Sequence, residues 1–397
     1  MKRNYTYILA YLFIVTAVFS SCQDDFLNIT PKGQLIAAKT EDYDLMLNSL
    51  QTLGNQNIVA TQSMGDELAS YAPFLNGMTI RQQRSFRWEA NIYEQGEDAP
   101  EIKSTMLSVY TYNVIIEEVG KSIEGSEKQK LQLEAEARGG RAWVYFKLIN
   151  LFAAPYDASN AESTAGFPIV RQANVALNNF ERASIKDVYE FILEDLKWAI
   201  PNLPATPIHR FRMSRPAAYK ILGDVYLTMR RFQEAYENYN LAIQDVEKST
   251  YPLEIYDYNK TFGQGGQFLP VTTIGPSYPN LYNNFESLYS RQVAGEWTVA
   301  RNEILITPET VSLYSTNDKR LNFFSAIEYP NGAKFPLGMM RRNGPFSPII
   351  GVLLPDLYLL RAETRARLDD LEGAKNDLEF LRRRRMPLNE ALIPDMI

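Results

Sequence analysis

Apolar positions change their spacing along this chain, and the changes mark out its elements. Residues 5–19 are almost continuously apolar, with Ile8, Leu9, Leu12, Phe13, Ile14, Val15 and Val18 inside the run. Residues 23–40 show no helical period and carry Pro31 and Gly33, so an extended segment is expected there. A helix is expected to start after Thr40, where Thr40 supplies a cap and Glu41 and Asp42 suit a helix N-terminus. Residues 55–100 read as irregular, because Gly65, Pro73, Gly77, Gly96 and Pro100 break any long element.

From residue 101 the period becomes helical. Met106, Tyr110, Asn113, Val114 and Glu117 share one face at spacings of three and four. Glu134 to Phe152 presents Ala142, Tyr145, Phe146, Ile149 and Phe152 as a stripe that Pro155 ends. Ser184 and Asp187 form a capping pair for a third helix, whose stripe is Val188, Ile192, Leu196 and Ala199 and whose stop is Pro201. A fourth is expected near Ser214, with Pro216 in its first turn.

That fourth helix opens an internal repeat. Tyr219, Leu222, Gly223 and Tyr226, followed by Ala235, Tyr239 and Ala242, keep the spacing of a tetratricopeptide unit, with Glu247 where a closing proline is usual. A second unit is visible at Tyr358, Ala362, Ala374, Leu378 and Leu381, with Arg365 in place of an aromatic. The pair 101–120 and 131–152 has the helix lengths without the full signature. Between the two repeats, residues 250–350 are rich in Gly, Pro, Asn and Tyr, and so long a stretch without regular structure is unusual unless functional. The expected fold is mostly α: tetratricopeptide-like helical repeats carrying a large irregular, loop-rich subdomain. The expected division is 1–21, 22–100, 101–249, 250–350 and 351–397.

Composition narrows the chemistry. The chain has 397 residues and a net charge of −6, which leaves no electrostatic footprint for nucleic acid. One Cys and one His exclude an internal disulfide and a zinc site built from Cys and His clusters. Phosphate-binding GxxxxGK[ST], GxGxxG and HExxH patterns are absent. Gly263, Gly265 and Gly266 read as a flexible turn, and His209 as a surface or hydrogen-bonded histidine. Arg382 to Arg385 reads as a solvated basic helix end. Adjacent carboxylates such as Glu194 and Asp195 read as solvated faces, since neighbours on a helix do not converge. No catalytic residue, cofactor or metal ligand is expected.

The aromatic surplus, 24 Tyr and 20 Phe, points toward ligand stacking. A sugar ring has an apolar C–H face that a flat side chain covers, and neighbouring polar groups then select hydroxyls. Two loop-like segments, 71–95 and 275–300, carry that mixture. Trp88 stands near Arg84, Arg87 and Asn91, and Trp297 follows Tyr278, Tyr282 and Asn283. Trp88, Tyr278, Tyr282 and Trp297 are the expected stacking platforms, with Arg84 and Asn283 as hydroxyl readers. For any one of these aromatics the alternative is an ordinary core position.

The N-terminus has the basic, apolar, small-residue order of a secretory signal, and its apolar run is short of the roughly 20 residues a membrane span needs. Phe19-Ser20-Ser21-Cys22 resembles a bacterial lipoprotein signal, with Phe19 where Leu is commoner. That resemblance implies cleavage before Cys22 and acylation of its thiol, which would hold the protein on a membrane. The acidic Gln23-Asp24-Asp25 resembles the surface-export tag of Bacteroidota lipoproteins.

Several blocks then agree with one family. They are Cys22 to Asn28, Ala135 to Phe152 with its Glu136, Arg138 and Arg141, Gly166 to Val170, Val188 to Pro204, and Leu357 to Arg365 with Arg361 and Glu363. Together with the two repeat units they resemble the SusD/RagB lipoproteins of Bacteroidota. The resemblance implies a non-enzymatic, surface-exposed outer-membrane protein that binds oligosaccharide or polysaccharide. It implies delivery to a SusC-like TonB-dependent transporter and attachment to lipid through Cys22. A peptide-binding relative, a pure interaction scaffold and a glycoside hydrolase are the other readings. The family usually continues past the last repeat into a further helix and an Arg-Glu-Leu-x-x-Glu-Gly-x-Arg-like segment that is missing before Ile397. The resemblance therefore implies a truncated frame or a short variant.

Overall fold

The computed structural model describes residues 37–49, 63–292, 304–328, 334–344 and 349–394. The chain divides into two compact units, Met1–Lys39 and Thr40–Ile397. Of the first, residues 37–39 alone are described; every helix and strand named here belongs to the second. Cys22 lies outside the described residues.

Helix α1 spans Thr40–Leu47. Thr40 is its first residue rather than its cap, and the hydroxyl donates to the Glu124 carbonyl at 2.7 Å, tying α1 to the turn before the long helix. The segment expected to be irregular contains a short strand β1 (Leu68–Ala69) and two short helices, α2 (Ala72–Leu75) and α3 (Ile80–Phe86). Thr79 and Gln82 form a reciprocal capping box that starts α3, a local signal strong enough to nucleate a helix among the glycines.

The helical layer follows. Helix α4 (Pro100–Glu118) packs on α5 (Glu127–Phe152), which starts about two turns earlier than the apolar stripe suggested because Ser126 caps it. Helix α5 packs on α6 (Ile185–Ala199), capped by Ser184 as expected. A buried ion pair clamps this layer. Arg141 of α5 donates from Nε and Nη2 to Asp195 of α6, both at 2.8 Å, and from Nη1 to Asn113 of α4 at 2.7 Å. Asp195 is 0% exposed, which corrects its reading as part of a solvated face.

The two repeats are helical hairpins. Helix α7 (Arg215–Thr228) packs on α8 (Phe232–Lys248). Gly223 is required at their crossing, since a Cβ there would lie 2.5 Å from the Tyr239 ring. Helix α7 ends in a Schellman motif: Arg230 is left-handed, its N–H bonds Leu227 O, and the Arg231 N–H bonds Tyr226 O.

The 250–350 stretch supplies α9 (Tyr258–Thr261), β2 (Ser287–Tyr289), β3 (Leu305–Ile306), α10 (Pro308–Ser312), β4 (Phe324–Ser325) and β5 (Met340–Arg342). The glycine-rich turn after α9 is hydrogen-bonded, Gly266 N–H to Gly263 O and Phe268 N–H to Thr261 O. Strand β6 (Val352–Leu353) leads into the second hairpin, α11 (Leu354–Arg367) on α12 (Leu371–Arg382), and α13 (Leu388–Ala391) follows. Helix α11 ends as α7 does: left-handed Asp369 bonds Ala366 O, and Asp370 bonds Arg365 O. The two hairpins thus share the same turn geometry.

Two antiparallel sheets tie the irregular region down. One has the order β1-β3-β5-β4, pairing Leu68 with Ile306, Leu305 with Arg341, and Phe324 with Arg342. The other pairs β2 with β6 through a register shift, beside Gly351, where a Cβ would collide with Tyr289 O. The basic run Arg382 to Arg385 at the end of α12 is solvated only in part: Arg383 is exposed, but Arg385 is not. Arg385 is buried, donating to Glu286 Oε1 at 2.7 Å and to Tyr256 O at 2.5 Å. It locks the irregular region to the C-terminal repeat.

Candidate functional site

The first candidate segment is placed by α3. Phe86 at the end of that helix packs, with Leu75, against Leu68, Met78, Ile304 and Ile306, so the core between β1 and β3 fixes where α3 stops. The stop is again a Schellman motif. Trp88 N–H bonds Ser85 O and Glu89 N–H bonds Arg84 O, both at 3.0 Å, and Trp88 takes the left-handed position at φ +55°. Glycine normally fills that place, because a Cβ meets the following carbonyl in this conformation. Here the chain holds an indole there, 62% exposed. A large apolar ring, strained in backbone and left in solvent, gains little for the fold, and such strain persists where the surroundings impose it.

The strand of chain after Trp88 is pinned at both ends. Arg84 donates from Nη1 to the Tyr93 carbonyl at 3.0 Å and faces Glu89 at 3.8 Å. Tyr93 donates to Glu101 Oε2 at 3.2 Å, and its ring stacks on Phe152 with centroids 6.5 Å apart and planes at 20°. Burial and the Glu101 carboxylate push the Tyr93 hydroxyl well above the ordinary phenol range, so it stays a donor.

Residues 89–95 thereby form one wall of a cleft of about 840 Å³, and Leu151 to Ala154, Thr164, Ala165 and Arg182 form the facing wall. Backbone groups, Asn91 and Gln95 give it hydrogen-bonding capacity, while Tyr93 and Phe152 give it aromatic surface. Arg182 and Phe152 also border a second, apolar cavity of about 480 Å³.

The second candidate segment is placed differently. Tyr282 is 51% exposed, with its ring edge-on to Phe211 at 6.2 Å. Phe211 in turn lies 3.8 Å from the ring of His209, which is partly buried. Burial and the adjacent charges of Arg210 and Arg212 hold His209 below the usual imidazole range. Asn283 accepts the Asn280 N–H on its side-chain oxygen at 2.8 Å, so that atom closes the turn presenting Tyr282.

Tyr278 belongs to an aromatic cluster with Tyr256, Tyr258, Phe268 and Phe323. Its hydroxyl faces Glu286 Oε2 at 3.4 Å, and burial holds it far above the ordinary phenol range. Its ring is half-buried and lines two cavities, of about 580 Å³ and about 270 Å³. Trp297 lies outside the described residues. Among the described residues, no hydrogen bond or ring contact joins Trp88 to Tyr278 or Tyr282.

Sequence reasoning did not single out Tyr93, Phe152 or Arg182. Phe152 was placed in a helical core stripe, and its spacing carries no sign that the last turn of α5 opens toward a cleft. Arg182 stands in a loop with no motif around it.

Comparison with known proteins agrees on one family. The model of a family described as "SusD-like_3: Starch-binding associating with outer membrane" matches residues 25–227, more than half of the chain. A relative in Formosa agariphila, SusD-like protein P2, is 28% identical over 193 residues, which is 45% of this chain and 35% of that protein. The match thus spans about a third of the relative's length. A SusD superfamily protein from Bacteroides thetaiotaomicron superposes with a TM-score of 0.72 at 17% identity, covering 90% of this chain and 83% of that one. A SusD-like carbohydrate binding protein from Bacteroides vulgatus gives 0.62 at 15%, covering 91% and 77%. At these identities the superpositions speak for the fold, and the matched segment from residue 25 to 227 carries the assignment: this chain belongs to the SusD-like family.

Proposed function

We propose that the protein binds oligosaccharide, with the cleft lined by residues 89–95 as its main binding surface and the exposed Trp88 just before that segment as a stacking platform. The observation that carries this reading is a cleft of about 840 Å³ lined by the rings of Tyr93 and Phe152 together with Asn91 and Gln95, in the segment that directly follows the exposed, left-handed Trp88. A saccharide needs both: a flat apolar surface for its C–H face and fixed polar groups for its hydroxyls. Tyr282 is the second stacking surface, and Arg84 and Asn283 act by holding the two turns that present the aromatics. Membership of a family described as starch-binding and associating with the outer membrane supports the ligand class.

The wider reading is that acylated Cys22 anchors the protein at the outer membrane, exposed on the cell surface, and that it passes oligosaccharide to a SusC-like TonB-dependent transporter. Binding rather than turnover is its task. Calorimetry across a polysaccharide panel tests the ligand class. Saturable binding that Trp88→Ala weakens supports the reading, and no binding to any member sinks it. Release of reducing sugar during incubation would instead make it a hydrolase. A palmitate analogue should label the wild type and not Cys22→Ser.

A further inference from the structure

The apolar cavity next to the cleft has no part in the reading above. It holds about 480 Å³, and its wall includes the rings of Phe152, Phe167 and Phe180 with Met106 and Val170. Phe152 lines both spaces and lies between them. On one side it stacks on Tyr93 of the cleft, and on the other its ring packs against Phe167 of the cavity at 5.9 Å and 35°. Phe180, at the cavity rim, is 53% exposed, a large ring that the fold itself leaves half in water.

Among the described residues, Arg182 is the one charged residue in the cavity wall, and it borders the cleft as well. Its Nε donates to Gly166 O at 2.6 Å and its Nη2 to Phe152 O at 2.8 Å. Those carbonyls hold the guanidinium beside the backbone of Phe152 without neutralising it, and among the described residues it has no carboxylate partner. Its Nη1 group makes no hydrogen bond to the described residues. Arg182, exposed, therefore borders both spaces as a cationic donor, with sugar-compatible surface on one side and aromatic surface on the other.

We propose that the cavity receives an aromatic acyl group carried as an ester on the saccharide in the cleft, with the ester carbonyl oxygen accepting from Arg182. The proposal rests on the cleft being the saccharide site. The ligand class is then a hydroxycinnamoyl-type acylated oligosaccharide. An acetyl group would leave most of the cavity unfilled and forfeit its contacts. A flat ring matches three phenylalanine rings that offer it faces and edges. A charge-assisted hydrogen bond from a fixed guanidinium suits the ester carbonyl at the polar end of that ring.

The test is calorimetry with a feruloylated arabinoxylo-oligosaccharide, the same oligosaccharide after saponification, and ethyl ferulate, which has no sugar. The feruloylated form is expected to bind about tenfold tighter than the saponified one, equivalent to about 1.4 kcal/mol. Phe180→Ala should abolish most of that ratio and leave the affinity for the saponified form unchanged. Phe180 is exposed, so the variant's melting temperature should match the wild type. Equal affinity of the two oligosaccharides for the wild type overturns the proposal, as does an equal loss for both in the variant. If neither oligosaccharide binds, ethyl ferulate decides: saturable binding lost in Phe180→Ala keeps the cavity assignment and removes the saccharide reading of the cleft. No binding of ethyl ferulate in that case removes both.

Discussion

Trp88 offers a test in which stability and binding move in different ways. It occupies the left-handed residue of a Schellman motif, a conformation that costs a residue bearing a Cβ about 1–2 kcal/mol. Glycine removes that cost and loses about 0.5–1 kcal/mol through the greater freedom of its unfolded chain. Trp88→Gly is therefore expected to be more stable than Trp88→Ala by roughly 0.5–1 kcal/mol, the reverse of the order inside a helix. The packing lost with the ring is common to both variants. With 62% of the residue exposed, about two-fifths of roughly 250 Å² is buried, worth about 2.5 kcal/mol. Urea unfolding of the two variants measures the difference, and calorimetry with the best ligand of the panel measures binding. Both should lose about 2 kcal/mol of affinity, the scale of an aromatic hot spot. An alanine variant as stable as the glycine one would refute the strained geometry. Wild-type affinity in Trp88→Gly would refute the stacking role.

Three further outcomes follow from buried groups. Arg141→Met leaves the fully buried Asp195 with Arg138 at 3.2 Å as its remaining ion-pair partner, so urea unfolding should show a loss of about 3–5 kcal/mol; a loss below about 1 would mean that the clamp is not formed. Ala235→Phe, at a position with no exposure between α7 and α8, should overpack the hairpin by about 1–3 kcal/mol, and an unchanged melting temperature would contradict that packing. His209, the single histidine, is held below its ordinary value of 6.5, so protonation favours the unfolded chain and stability falls as pH drops below 6.5. His209→Gln should flatten that limb of the stability curve, and an identical slope in the variant would show that other groups produce it.

The helical layer was legible in the sequence because its signals are local. Ser184 with Asp187, the stripe from Val188 to Ala199, and the Tyr219 to Ala242 spacing each act within one or two turns of chain, and each became the expected helix. The capping box of Thr79 and Gln82 is equally local and was overlooked beneath the surrounding glycines and prolines. Charge burial was not legible. Asp195 and Arg385 carry the same side chains as solvated residues, and what buries them is Arg141 on another helix and Glu286 in another region. Nor could composition separate Trp88 from Tyr278. Both are aromatics in loop-like segments, but Trp88 is largely exposed at a helix terminus, whereas Tyr278 is half-buried among rings drawn from four parts of the chain, at the wall of a cavity. The cleft has no sequence signature, since its walls come from residues 89–95, 151–154, 164–165 and 182. Helical periodicity is written in neighbouring residues and survives being read alone. A concave surface exists once distant segments are held together, and here the β1–β3 pairing and the Tyr93–Phe152 stack do that holding.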